Sequence, residues 1–401
     1  MFLGALLFAY TLGPENYGHF SLIQVTALLF TTFCALSLGQ MSTKIVAEAL
    51  AAPKGQLACA FSVAYGSAFA LSLPLVVLIA LLGKWLAITV GGTEQLALPY
   101  IASSVLVFAG FLVSVQNGIL LAINKTKAQA LINACAAPVA LSILAIAAIQ
   151  NNLLAAIIGY GVSQLIFVAA QEFVLWRYRV TAEISLSLHA TTAADWSVLW
   201  KLGIPSSIAG LFSVIATWIS LVLLSESIDG ISAVGHFSLG NQARMMVLFG
   251  VGVVANAALP LLASAGVEKN HDQSRAVTTQ STIVVTVTAA TVAVLLTIGA
   301  FALVPIFLPD YIESLLPLAW LLGSVVIMAP TSIMMRKATA NFRPRILLVG
   351  NMVYALVLVA TAATAIRSGF GATGLAVAYF VAATIQLAAY CFLNKVNERM
   401  P

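Results

Sequence analysis

Arg244 is the basic residue that no ordinary role explains. It lies ten residues past Val234, where an apolar run begins. That is about 15 Å along a helix, near the middle of a bilayer if the helix crosses one. An arginine at that depth costs about 2.5 to 3.5 kcal/mol on insertion scales, so it should face a wet cavity or a partner. Its planar guanidinium can grip two oxygens of a phosphate or diphosphate at once. A second placement is open. Met245 to Ala263 is itself 19 residues and predominantly apolar, enough to span and to leave Arg244 at the outer rim.

Asn241 and Gln242 sit beside Arg244, and further amides, among them Gln24 and Asn117, lie inside other apolar runs. Amides offer both donors and acceptors to the hydroxyls of a sugar. They also hold membrane helices together, at about 0.6 kcal/mol each. Lys44 lies 24 residues beyond Phe20, roughly 36 Å if the segment is helical, which sets it at a membrane rim. It can catch an entering phosphate there, or simply pair with Glu48 four residues on, worth about 0.3 to 0.5 kcal/mol.

No Asp or Glu falls near the middle of any apolar run; Glu48 and Glu172 lie close to run ends. A transporter of cationic drugs needs such a carboxylate, whereas a basic cavity suits an anionic cargo. Nothing resembles a nucleotide-binding loop, a catalytic triad, a metal cluster or a pair of glycosyltransferase acids, so no enzyme, metal or cofactor is expected. Cys34, Cys59, Cys135 and Cys391 each stand alone in an apolar run and read as small core residues.

These residues are carried by a chain that is 61% hydrophobic and 8% charged, with mean hydropathy +1.05. A soluble domain carries about 25% charged residues. The chain is therefore an all-α integral membrane protein, because lipid requires each spanning segment to satisfy its own backbone and the runs lack the alternation of membrane strands. Taking roughly 20 apolar residues per crossing, spans are predicted near 2–12, 20–38, 57–82, 98–123, 128–149 and 153–176, then near 204–224, 234–263, 278–303, 316–335, 346–366 and 374–392. The total is twelve. The first span has only about 11 residues, roughly 16 Å, which predicts a truncated first helix. The expected organisation is an N-terminal six-helix bundle (1–176), a linker with an interfacial helix carrying Trp196, Leu199 and Trp200 (177–203), and a C-terminal six-helix bundle (204–401).

Charge agrees with that count. Of the 18 basic residues, 15, from Lys44 to Arg399, fall in even-numbered turns or at the C-terminus. Lys84 and Arg367 fall in odd-numbered turns, which instead carry Glu15, Glu94, Glu226, Asp229, Asp310 and Glu313. By the positive-inside rule both termini are cytoplasmic. The net charge of +5 is thus membrane topology, and no nucleic-acid partner is expected.

The chain also repeats itself. Gly18-His19-Phe20-Ser21-Leu22 returns as Gly235-His236-Phe237-Ser238-Leu239, 217 positions later, and Asn124 and Asn341, each opening a basic turn, share that separation. Six spans per copy is an even number, so the two copies are expected to be parallel, with a substrate site between them as in many transporters.

The segment Leu12-Gly13-Pro14-Glu15-Asn16-Tyr17-Gly18-His19-Phe20-Ser21, followed by Leu38-Gly39-Gln40 and Lys44-Ile45-Val46-Ala47-Glu48, resembles the N-terminal signature of Wzx-type polysaccharide flippases. Trp200-Lys201-Leu202-Gly203-Ile204-Pro205 and Val234-Gly235-His236-Phe237-Ser238 extend the resemblance to the second half. The resemblance implies the two-bundle fold of multidrug and toxin extrusion (MATE) transporters, a bacterial inner-membrane location, and an undecaprenyl-diphosphate-linked oligosaccharide as cargo, with membrane lipids and polysaccharide polymerase machinery as partners. A cation-coupled drug exporter of the same fold is the alternative. A polymerase or transferase would need a large outer loop, and the outer turns are short. Independently of any relative, Gly13-Pro14 is expected to stop the first helix, Gly18 to permit a tight return, and Tyr17 and Phe20 to lie in the interfacial aromatic belt.

Overall fold

The computed structural model describes residues 2–51, 55–182, 204–267, 271–340 and 344–399, and these are almost wholly helical. In chain order the helices are α1 (Phe2–Leu50), α2 (Gly55–Thr89), α3 (Ala97–Ala102), α4 (Ser104–Ala122), α5 (Thr126–Ile149), α6 (Leu153–Thr181), α7 (Ile204–Ser225), α8 (Gly230–Val267), α9 (His271–Phe307), α10 (Leu315–Ala340), α11 (Pro344–Arg367) and α12 (Gly371–Arg399). Among the described residues, nine helical segments are long and apolar enough to cross a membrane. The protein is a multi-pass membrane protein. The interfacial helix expected around Trp196, and the basic turn at Asn341, lie outside the described residues.

The first two expected spans are both inside α1. Only Gly13 departs from helical angles there, at φ 72° and ψ 173°, a conformation open essentially to glycine alone. Pro14 explains the break, since its ring cannot continue a helix but suits the first position of a new one. The second helix therefore begins at Pro14 rather than Phe20, and Gly18 lies within it instead of making a return. Tyr17 and Phe20, expected in the interfacial belt, are fully buried. They pack with Phe8 and Tyr311 at ring separations of 5.1 to 6.3 Å. A short turn left no loop to carry them, so they joined the core.

The repeat is written in the backbone. Gly230 also has positive φ (55°) and opens α8, and it stands 217 residues after Gly13. The segment Pro14–Leu50 maps onto Ile231–Val267 at the same offset, end to end. The starts of α5 and α11, and of α6 and α12, are each 218 apart.

The described chain forms two compact units. One contains Leu22–Val214, with Leu3; the other contains Gly4–Ser21 and Ile215–Pro401, with Phe2. In the first, α2 packs on α3 and α4, α4 on α6, and α5 on α6, around buried Leu38, Phe61, Val107, Phe111 and Leu175. Small residues let α1 and α4 close on each other. A Cβ on Gly118 would lie 2.2 Å from the Gly39 carbonyl oxygen, and Thr43 Oγ1 donates to the Gly118 carbonyl at 3.1 Å. Contacts of this kind replace the hydrophobic effect, which is absent between helices in lipid.

In the second unit α8 packs on α9 and α10, and α12 on α10 and α11, around buried Val247, Val251, Leu318, Leu322 and Val325. Here the repeated glycines meet. A Cβ on Gly18 would lie 2.1 Å from the Ile231 carbonyl oxygen, and one on Gly235 would lie 2.0 Å from that of Pro14. Pro14 and Ile231 are themselves 217 apart, so the crossing is made by the same surface of each repeat, as in a two-fold contact.

Gly235→Ala is expected to lower the unfolding temperature of the detergent-purified protein, at an overpacking cost of roughly 1 to 3 kcal/mol. Gly250→Ala in the same helix, where an added Cβ meets nothing within 4 Å, should be neutral or stabilising. Equal melting of the two variants would refute the close crossing.

Candidate functional site

Asn241 and Arg244 are one turn apart on α8, a spacing that puts two side chains on one helical face. Arg244 is 14 residues past Gly230, about 21 Å along the helix, and only 6% exposed. One terminal nitrogen donates to Asn241 Oδ1 at 3.0 Å, and the other approaches Met328 Sδ on α10 at 3.2 Å. Its guanidinium carbon stands 4.7 Å from the centre of the Tyr379 ring on α12, within the range of a cation–π contact. The Tyr354 side chain on α11 also interacts with it.

The cage is braced from behind. Tyr379 donates to Thr217 Oγ1 at 3.1 Å and packs against Phe237 at 5.4 Å and Tyr354 at 6.5 Å. The described groups that contact Arg244 are neutral. Among the described residues no carboxylate pairs with it, and its Nε is buried without an acceptor. A buried charge without a counter-charge costs several kcal/mol. Donors and positive charge are therefore in place here without a counter-charge among the described residues.

The remaining sequence candidates have settled differently. Gln242 is half-buried on α8. Gln24 is hydrogen-bonded to Tyr160 on α6, as is Gln164. Gln24 and Asn241 are 217 apart, so the two repeats hold an amide at the same register on equivalent helices. Asn117 Oδ1 accepts from Gln129. Lys44 is exposed and sits 3.7 Å from Glu48, the surface pair that its spacing allows. Of these, Asn241 alone is brought against Arg244. The sequence reading did not pick out Tyr354, Tyr379 or Met328. Their only signal was a tyrosine within an apolar run, where a buried hydroxyl must find a partner.

Glu172 is the carboxylate that deserves comparison. It accepts from Tyr65 and Arg179, and from Gln116 Nε2 at 3.1 Å. The Arg179 guanidinium also lies 5.8 Å from the Tyr65 ring centre. Its charge is balanced and its oxygens are occupied, in contrast to Arg244.

Residues 1–266 match the family described as polysaccharide biosynthesis protein. The chain belongs to that family. No curated protein matches it in sequence. Its fold is similar to that of several solved membrane transporters. A multidrug resistance MATE transporter in an inward-facing conformation superposes with TM-score 0.85 at 14% identity, over 100% of this chain and 95% of that one. The lipid II flippase MurJ, in an inward closed conformation, superposes with TM-score 0.76 at 15% identity, over 98% of this chain and 84% of that one. An outward-facing MATE transporter gives 0.70 at 14% identity, over 98% and 90%.

For this family member, Tyr379→Phe should lose only the bond to Thr217, about 1 kcal/mol. Tyr379→Leu should lose in addition a cation–π contribution of about 0.5 to 2 kcal/mol. A double-mutant cycle with Arg244→Met, read by thermal unfolding, should recover that second loss as a coupling energy. Zero coupling would remove the ring from the cage.

Proposed function

We propose that this polysaccharide biosynthesis protein is a flippase for a lipid-linked oligosaccharide whose anionic group, a diphosphate on an undecaprenyl carrier, is held by Arg244. The observation that carries the reading is the buried guanidinium in a neutral cage. A diphosphate supplies the oxygens and the negative charge that the cage lacks, and it matches a guanidinium bidentately. Asn241 and Gln242 beside it, with Gln24 and Asn117, would offer amide donors and acceptors to sugar hydroxyls. Lys44 would meet the phosphates at the basic rim.

The placement of 15 of the 18 basic residues in alternate turns supports cytoplasmic termini in a bacterial inner membrane. Transport would then run from the cytoplasmic to the outer leaflet by alternating access, delivering repeat units to a polymerase. The balanced state of Glu172 speaks against the drug-exporter alternative. A carboxylate already paired with Arg179 and bonded to Tyr65 and Gln116 is poorly placed to hold a cation.

The test is surface polysaccharide display in cells lacking their own flippase, with native mass spectrometry of the purified protein beside it. Arg244→Ala should lose transport by about tenfold or more, as expected for a charge-assisted contact of about 1.5 to 3 kcal/mol, and should lose a co-purified polyprenyl-diphosphate sugar. Arg244→Lys should retain part of both. Wild-type transport in Arg244→Ala at equal expression would overturn the assignment.

A further inference from the structure

We propose that the cleft between α5 and α6, at the basic end of that helix pair, is a binding site for an anionic membrane phospholipid. The two helices are joined by a short turn in which Asn151 is left-handed (φ 45°) and Asn152 Oδ1 caps the Leu154 N–H at 2.8 Å. Beside this turn they touch, since a Cβ on Gly159 would lie 2.4 Å from that of Ala147. Further on they part. Past the hydrogen bond from Gln171 to Asn133, a cleft of about 540 Å³ opens, within the roughly 300 to 1,000 Å³ of small-ligand pockets.

Its walls suit an acyl chain and its end suits a phosphate. Leu131 and Cys135 on α5 face Phe173 on α6, with Lys125, Arg177 and Tyr178 at the basic end. Leu131 is 68% and Phe173 51% exposed, so the cleft lies open on the outer face of the helix pair. Nearby Trp176 and Val180 are exposed as well, as lipid-facing side chains are. From Lys125 to Cys135 is ten residues, about 15 Å of helix, or half the roughly 30 Å of hydrocarbon. That is the depth of one leaflet.

The two cations are unspent. Among the described residues neither Lys125 nor Arg177 makes an ion pair, whereas Arg179, two residues on, turns inward to Glu172. Lys125 is also fixed in place: it follows left-handed Asn124 (φ 57°), and its N–H donates to the Leu120 carbonyl at 2.9 Å. Basic clefts between membrane helices recognise anionic lipid headgroups through this combination. The lipid's phosphodiester would accept from the Lys125 ammonium and the Arg177 guanidinium while one chain lies between Leu131 and Phe173. The inference is independent of the Arg244 cage, which lies in the other unit.

The full chain, purified in detergent, is incubated with phosphatidylglycerol or with phosphatidylethanolamine of matched chains, and adducts are counted by native mass spectrometry. The wild type should retain the anionic lipid on the order of tenfold better, as two basic contacts imply. K125Q/R177Q should erase that preference with no change in unfolding temperature. Leu131→Trp, which fills the apolar wall and leaves the charges, should reduce retention of both lipids. Arg244→Ala should bind phosphatidylglycerol as the wild type does. Equal retention of the two lipids by the wild type, or an undiminished preference in K125Q/R177Q, would overturn the proposal. Displacement of the lipid by inorganic phosphate alone would overturn the acyl-chain half of it.

Discussion

Lipid hydrocarbon offers a polar group no partner, so each donor, acceptor and charge buried in this protein has to be answered by the protein itself. Helices follow at once for the backbone. The same constraint is visible at side-chain level, where hydroxyls within the helices bond back to the preceding turn. Thr26 donates to the Leu22 carbonyl at 2.8 Å, Thr297 to Ala293 at 2.8 Å and Thr361 to Val357 at 2.6 Å. It also explains why small residues hold helices together here. With no water to expel, helices gain by approaching closely enough for packing to count, as Gly118 does at Gly39 and Gly235 at Pro14.

Against that rule, the half-buried Glu172 and the buried Arg244 stand in contrast. Glu172 is surrounded by donors and a cation, and the result is a closed network that ties α2, α4 and α6 together. Arg244 has an amide, a thioether, a tyrosine side chain and an aromatic face, all neutral. The first arrangement is balanced in charge, and the second holds a cation with no counter-charge among the described residues. Among the described residues the helices that contact Arg244 set no acid beside it, which is the ground for the proposed anion site.

The duplication separates what was kept from what was changed. Positive-φ glycines begin the paired helices at Gly13 and Gly230, and the helices that follow have identical length. Between them the chemistry has diverged: Gln24 corresponds to Asn241, but Ala27 corresponds to Arg244. Helix starts are local events governed by one or two residues, so they survive as a pair. A charge in hydrocarbon depends here on three other helices, and only one copy carries the charge.

Much of the architecture was legible in the residues themselves. Eleven of the twelve expected spans coincide with the interior of a described helix or sit inside one, because a run of apolar residues in lipid has a single backbone solution. Arg244 and Asn241 could be singled out for the same reason, since a charge or amide inside such a run is conspicuous wherever the helix turns. The exact opening of the second helix was misjudged by six residues, as proline at a first helical position looks the same in sequence as proline in a loop. The tertiary structure alone decided the partners. Tyr354, Tyr379 and Met328 come from three helices more than 80 residues from Arg244 in sequence, and nothing in an apolar run distinguishes a tyrosine that meets a guanidinium from one that meets a leucine. Composition and periodicity determine which segments enter the membrane; which faces then touch is set by packing among all of them.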